Sequence, residues 1–133
     1  MGKYLQDKGL APAIVLCSSA TRAQETLEQL RPAFSDSTVV KIEPKLYGAE
    51  STALATRLRR VSQGSPSVLV IGHDPAIQEL VLMLDPSSRR SKAVRKKFPT
   101  AALAVVDVSI DEWKQLKPGE ASISDFITPK QLR

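Results

Sequence analysis

The single histidine of the chain, His73, follows a short apolar run and precedes an Asp-Pro pair. The β-branched residues at 68–71 predict a buried strand, while Asp74 and Pro75 are favoured as the cap and the first residue of a helix. His73 is therefore expected at the carboxyl end of a strand, just before a helix N-terminus. Ligands bind at this edge of open α/β sheets, and bare N–H groups at a helix start attract anions. An imidazole here indicates a phosphate or carboxylate site rather than a histidine packed in the core.

Arg22 lies in a second strand-to-helix segment of the same kind. The apolar run at 13–17 predicts a strand, and Ser18 or Ser19 is expected to cap the following helix. A positive side chain in a first turn opposes the helix dipole unless an anion lies in front of it, and the guanidinium fork suits a phosphoryl group. The alternative is a solvated arginine that pairs with Glu25. The matching strand ends predict one anion site formed by Ser18, Arg22 and His73.

Several motifs along the chain, taken in order, resemble those of a known superfamily. Residues 17–26 (CSSATRAQET) are similar to a Ser-Ser-x-x-x-Arg-Ala-x-x-Thr segment, and Gly72-His73-Asp74-Pro75 resembles a second-histidine motif; both are typical of the histidine phosphatase (phosphoglycerate mutase-like) superfamily. Residues 46–49 and 97–104 and the region of Trp113 point to its SixA-type phosphohistidine phosphatase branch. The resemblance implies that Arg22 and His73 bind the phosphoryl oxygens and stabilise the charge that develops on them.

The resemblance is incomplete at the nucleophile. Histidine phosphatases carry Arg-His-Gly or Arg-His-Ala after their first strand, and that histidine is phosphorylated during the reaction. His73 matches the second histidine instead, so the resemblance predicts a domain that lacks its first strand and is inactive as written. An acid would protonate the leaving group. Glu43 and Glu50 are the nearest candidates by position, and a solvated surface glutamate is the alternative for each.

Three functions remain open at this stage. The first is a histidine phosphatase whose nucleophile lies upstream, and the second is a catalytically dead module that binds a phosphorylated protein or small molecule. The third, disfavoured, is a basic protein that binds nucleic acid. Its basis is the segment Ser87–Lys97, which has six basic residues, no acidic residue and no aromatic residue for base stacking. A solvated loop, or a mobile basic flap that attracts a phosphoprotein, explains this segment equally well.

Composition restricts the class of protein. A chain of 133 residues, 42% hydrophobic, can form one domain with its own core, and we expect a single domain over 1–133. No apolar run is long enough for a membrane span or a signal peptide, and a lone cysteine suits the cytoplasm. One His and one Cys offer no metal-ligand spacing, and no cofactor is expected. Cys17 and Arg22 are too close, without a glycine between them, for a cysteine phosphatase loop, so Cys17 is interpreted as a buried residue.

The pattern of elements predicts an α/β fold, with a mostly parallel central sheet and helices on both faces in a three-layer α/β/α arrangement. The resemblance adds that this fold is phosphoglycerate mutase-like and truncated at its N-terminus. Strands are predicted at 13–17, 38–42, 68–71, 101–108 and 121–127, and helices at 2–8, from Arg22 towards Pro32, at 54–61 and at 75–84. Loss of an interior strand would leave unpaired N–H and C=O groups. We therefore expect either direct pairing of the flanking strands or a strand donated within a homo-oligomer.

Overall fold

The computed structural model describes residues 1–132, and their contacts divide into two units. The first unit comprises residues 1–49 and 64–73, and the second comprises residues 50–63 and the chain from 74 onward. In chain order, the elements are α1 (Gly2–Asp7), β1 (Ile14–Ser18), α2 (Thr21–Leu30), β2 (Val39–Glu43), α3 (Ser51–Arg59), β3 (Val68–Ile71), α4 (Ala76–Leu84), α5 (Arg89–Lys96), β4 (Leu103–Val108) and β5 (Ala121–Ile127). Each predicted helix and strand is present, with its ends shifted by a few residues at most.

The first unit is built on a parallel sheet in which the strand order is β2-β1-β3. All five residues of β1 are buried, as expected for a central strand that is covered on both faces. Cys17 is level with Ile42 on one side and with Ile71 on the other. The three strands therefore end at the same edge of the sheet, and this edge receives the predicted site residues.

Helix α2 packs next to this sheet through a regular apolar stripe. Its buried residues Ala23, Leu27 and Leu30 have the i, i+4, i+7 spacing of one helix face, and Leu27 is 0% exposed. The helix ends where Pro32 follows, because proline has no N–H for the helical hydrogen bond and disfavours a helical residue before it. The stripe fixes how α2 lies on the sheet and so directs its first turn.

The second unit contains α3, α4, α5 and an antiparallel pair formed by β4 and β5. These two strands follow one another without an intervening α-helix, which parallel pairing would require as a crossover. Its core includes Val81, Val94 and Ile123, and the rings of Phe98 and Phe126 stack with centroids 5.4 Å apart. The α/β class predicted from the sequence is confirmed, with two ladders among the described residues. Of the two outcomes expected for the missing strand, direct pairing that would join these ladders is not observed there, and a donated strand stays a prediction.

The basic segment is a helix, so its prediction as a loop or mobile flap is wrong. Helix α5 buries Ser91 and Val94, both 0% exposed, and its first turn is capped by Ser88, whose Oγ accepts a hydrogen bond from the Ser91 N–H at 3.3 Å. Local composition concealed this because five of the eight residues in the helix are basic and only Ala93 and Val94 are apolar. Ser91 and Val94 form the face through which α5 packs on the second unit.

Candidate anion-binding site

The predicted site residues of the first unit lie at or just beyond strand ends at the carboxyl edge of the parallel sheet. Ser18 ends β1 and pairs in register with Glu43, the last residue of β2. On the other side Cys17 is level with Ile71, which ends β3 two residues before His73. Arg22 follows four residues after Ser18, as the second residue of α2. The common edge that the sequence predicted is therefore formed.

Ser18 supports the turn into α2. It is 1% exposed, and its Oγ accepts a hydrogen bond from the Ala20 N–H at 3.1 Å. Neither serine caps the helix, so that prediction is wrong: the cap residue is Ala20, and α2 has no side-chain cap among the described residues. Ser18 is occupied by the turn, while the Ser19 carbonyl accepts a hydrogen bond from the Gln24 Nε2 at 2.8 Å. The first-turn N–H groups of α2 are consequently left without a side-chain acceptor.

Arg22 is exposed at this uncapped end of α2. Its guanidinium forms no ion pair and no hydrogen bond with any residue between 1 and 132, so the alternative of pairing with Glu25 is not observed. The first turn of α2 also contains no acidic residue. A cation here lies against the positive end of the helix dipole, which costs stability unless an anion binds in front of both. The arrangement is therefore electropositive and open to a ligand.

His73 is also exposed, and its ring has no hydrogen-bond partner within the described chain. The helix after it begins one residue later than predicted, at Ala76, with Pro75 as its cap residue and not Asp74. The Pro75 carbonyl accepts the N–H of Glu79 at 2.9 Å, which is the first hydrogen bond of α4. Both ring nitrogens of His73 are therefore available to a ligand at the sheet edge.

The two candidate acids occupy different parts of the molecule. Glu43 is partly buried at the end of β2, level with Ser18, and so shares the edge with the predicted site. Glu50 is exposed, is the cap residue of α3 and belongs to the second unit. The structure thus associates Glu43 with the site edge, and the role of either glutamate stays a prediction.

Cys17 has the properties of a structural residue. It is 0% exposed, and its Sγ donates to the Ser18 carbonyl at 3.2 Å. Burial raises the pKa of the Cys17 thiol above its ordinary 9.0, and the positive charge of Arg31 offsets part of this rise. Because the thiolate is the reactive form, a raised pKa disfavours a cysteine nucleophile. The His73 imidazole and the Arg22 guanidinium therefore remain the groups at this edge that could bind an anion.

Residues 1–132 contain neither a cluster suited to a metal ion nor a helix that could span a bilayer. No group of three or more His, Cys, Asp or Glu side chains in this range is placed to hold a metal ion. Within the same range, none of the helices has both the length and the apolar character needed to cross a bilayer.

Tyr47 is an exposed aromatic residue at the site edge to which the sequence analysis gave no role. A short turn of 3₁₀ helix, Pro44–Leu46, follows β2 and leaves Tyr47 69% exposed. Gly48, next to it, has φ of +70°, a left-handed conformation that glycine adopts without strain. A large aromatic residue followed by glycine, directly after a strand, is the sequence signal that could have identified Tyr47 as an exposed residue in a turn.

Proteins from two mycobacteria are related to this chain by sequence. An uncharacterized protein of Mycobacterium tuberculosis, Rv1276c, is 33% identical over 133 residues, covering 97% of this chain and 81% of its own. An uncharacterized protein of Mycobacterium leprae, ML1117, is 31% identical over 124 residues, covering 90% of this chain and 74% of its own. No family model matches the chain.

The solved structures that resemble the chain carry a functional description. A protein described as the phosphohistidine phosphatase SixA of Nakamurella multipartitia superposes with a TM-score of 0.80 at 27% identity, covering 96% of this chain and 77% of that one. The corresponding protein of Agrobacterium tumefaciens gives a TM-score of 0.80 at 22% identity and shares the fold, covering 96% of this chain and 75% of that one. The protein histidine phosphatase SixA complexed with tungstate gives 0.77 at 24% identity, covering 99% and 78%. Since the Nakamurella protein superposes at 27% identity over 96% of this chain, the chain belongs to the histidine phosphatase superfamily, among the relatives of its SixA phosphohistidine phosphatases.

Proposed function

We propose that this chain binds the phosphoryl group of a phosphorylated protein, with phosphohistidine as the preferred form, between Arg22 and His73. The observation that carries the proposal is the pair itself. Both side chains are exposed, neither has a partner within the described residues, and both follow strands that end at one edge of a parallel sheet. The structural neighbours are described as phosphohistidine phosphatases, and one of them holds tungstate, a tetrahedral oxyanion like phosphate. A small phosphorylated molecule is the alternative ligand.

The chemistry of the site suits a tetrahedral dianion. The Arg22 guanidinium can donate two parallel hydrogen bonds to phosphoryl oxygens, and the free N–H groups of the α2 first turn add donors beside it. His73 can donate from one ring nitrogen, and from both when it is protonated. Ser18 keeps the turn before Arg22 in place through its bond to Ala20. Binding would in turn relieve the opposition between Arg22 and the helix dipole.

Hydrolysis would need a group that these 133 residues do not provide. The mechanism implied by the family attacks phosphorus with an imidazole, and His73 occupies the position of the histidine that binds phosphate. We therefore propose that the chain as written binds phosphorylated ligands with little or no turnover. Glu43, at the end of β2, is the acid that we favour for protonating a leaving group, since it shares the edge with Ser18.

A strand added at the free edge of β3 would complete the sheet. β3 pairs with β1 alone among the described residues, and its sequence Val-Leu-Val-Ile carries no charge. The opposite edge strand, β2, carries Lys41 and Glu43, as edges protected against further pairing commonly do. We infer that the β3 edge accepts a strand, from another copy of the chain or from a preceding segment. We also infer that the protein works in the cytoplasm and that its residues form one domain.

Titration with inorganic phosphate and with tungstate, followed by calorimetry or NMR, tests the proposed site. Arg22→Ala should raise the Kd for both anions at least tenfold, because a charge-assisted hydrogen bond is worth about 1.5–3 kcal/mol. His73→Ala should weaken binding in the same direction. Arg60→Ala is the matched control, since Arg60 is also an exposed arginine whose guanidinium has no partner within residues 1–132, but it lies at the end of α3. Equal affinity in Arg22→Ala and Arg60→Ala would contradict the proposal.

A further inference from the structure

Helix α5 presents a row of cations on the face opposite its buried contacts. Arg89, Lys92 and Lys96 are all exposed and follow one another at i, i+3 and i+7, which places them on one helix face. Ser91 and Val94, both 0% exposed, form the opposite face. We call Arg89, Lys92 and Lys96 the α5 basic face. Over an eight-residue helix, these three charges extend along about 12 Å.

The α5 basic face is held rigidly by neutral and acidic partners that lie beneath it. At the start of the helix, Asp85 accepts the Ser88 N–H at 3.3 Å and the Ile123 N–H at 2.9 Å, which ties the cap to β5. At the end of the helix, Gln78 of α4 donates to the Val94 carbonyl at 2.7 Å. A docked helix keeps the spacing of its charges, so this face is preorganised for a partner.

The cations of α5 act in both directions on the helix dipole, since Lys96 lies in the last turn, where a positive charge is favourable. Arg89 and Arg90 occupy the first turn, where cations oppose the helix dipole, and this turn contains no acidic residue. No ion pair to the α5 basic face is found among residues 1–132. The chain carries a net charge of +5, and this segment alone contributes six positive charges, so the remainder is close to neutral. A concentrated cationic face without ion pairs among these residues points to an anionic partner.

We propose that the α5 basic face docks an acidic helix on the surface of a partner protein. Two turns of an acidic helix present carboxylates at the spacing that these three cations match. Single-stranded nucleic acid is disfavoured because residues 87–97 contain no aromatic side chain for base stacking. A membrane surface is disfavoured because the exposed face of α5 has no large apolar residue to insert.

The test uses an unphosphorylated probe, so that docking is measured apart from phosphoryl binding. The probe is a fluorescent helical peptide with glutamates at i, i+3 and i+7, compared with its glutamine counterpart and with a short duplex DNA. Binding is measured at about 0.1 M salt, where the Debye length is about 10 Å. The test variant is Arg89→Gln/Lys92→Gln/Lys96→Gln, and the control is Lys3→Gln/Lys117→Gln/Lys130→Gln. The control removes the same number of charges from exposed lysines elsewhere.

The α5 triple variant should bind the acidic peptide about tenfold more weakly, as three exposed ion pairs together allow, with the control within about twofold of the parent. Thermal melting checks that both variants stay folded. No binding of the peptide by the parent, or an equal loss in both triple variants, overturns the proposal. Tighter binding of the duplex DNA that is lost in the α5 variant also overturns it, in favour of a nucleic acid. Phosphate affinity at Arg22 should be unchanged throughout, so a failure there concerns the proposed function and not α5.

Discussion

The edge of the parallel sheet and the α5 basic face are both exposed and cationic, yet they are built in opposite ways. At the sheet edge, a single guanidinium and a single imidazole follow strand ends, beside helix N–H groups that have no side-chain acceptor. On α5, several full charges lie along a helix whose cap is already satisfied by Ser88. The first arrangement suits the one small anion that we propose, whereas the second spreads its positive charge over a surface. Two regions with the same positive charge are thus predicted to bind different ligands.

The largest expected effect is phosphatase activity, which only the sheet edge should gain when a nucleophile is supplied. Adding a strand that carries Arg-His-Gly before residue 1 should raise phosphatase activity on phosphohistidine by several orders of magnitude. Loss of a nucleophile costs hydrolases up to about 10⁶-fold in turnover. Activity is measured by phosphate release, with the same added strand carrying Arg-Ala-Gly as control.

Two outcomes would break this view of the sheet edge. Rapid turnover by the unmodified chain that survives His73→Ala would overturn the family mechanism. Turnover lost on Cys17→Ser would revive a cysteine nucleophile, despite the burial that raises the pKa of its thiol.

Core truncations should affect the two regions separately. Leu27→Ala, in the helix that carries Arg22, should lower the free energy of unfolding by about 2–5 kcal/mol, because Leu27 is 0% exposed. Val94→Ala, beneath the α5 basic face, removes fewer atoms and should cost about 1–3 kcal/mol. Chemical denaturation measures both. Phosphate affinity of the folded fraction should fall in Leu27→Ala alone. A fall in Val94→Ala and not in Leu27→Ala would contradict the view that the two regions bind different ligands.

Asp85 gives the α5 region a dependence on pH. The Ile123 N–H lowers the pKa of Asp85 below its ordinary 3.8, with help from Ser88 and Ser87 and against the effect of burial. A depressed pKa in the folded state stabilises the protein above the unfolded value, and this stabilisation is lost as pH falls through the folded value. Asp85→Asn should therefore cost about 1–3 kcal/mol at neutral pH and less in acid. Denaturation at pH 7 and below pH 3.8 measures this; an unchanged cost at both pH values would show that its charge is not what matters.

Gln78→Ala should have the smallest effect. It removes the hydrogen bonds from Gln78 to the Val94 and Arg95 carbonyls, at 2.7 and 3.4 Å, and should cost about 0.5–1.5 kcal/mol. Acidic-peptide binding should weaken about twofold if the end of α5 loosens, while phosphate binding stays as in the parent. Glu120→Ala, at an exposed position of the same unit, serves as the control. Stronger peptide binding in Gln78→Ala would show that the rigidity of α5 opposes docking.

Sequence reasoning succeeded where local patterns control structure. The apolar run before Ser18 and the stripe through Leu27 and Leu30 correctly predicted β1 and α2. It failed at the serine caps, since whether Ser18 caps a helix depends on where the turn places its hydroxyl. It also failed at residues 87–97, because a helix rich in lysine and arginine has little local signal and is held by distant partners.

By itself, the sequence determined the elements other than α5, the motifs around Arg22 and His73, and the resemblance to histidine phosphatases, because these depend on side-chain type and on short-range spacing. Tertiary structure alone decided that Ser18 and Glu43 are level at one edge, since a strand's register is set by pairing with residues far along the chain. It also decided that α5 is a docked helix. Asp85 reaches Ile123 across 38 residues of sequence, and no local pattern encodes a hydrogen bond over that separation.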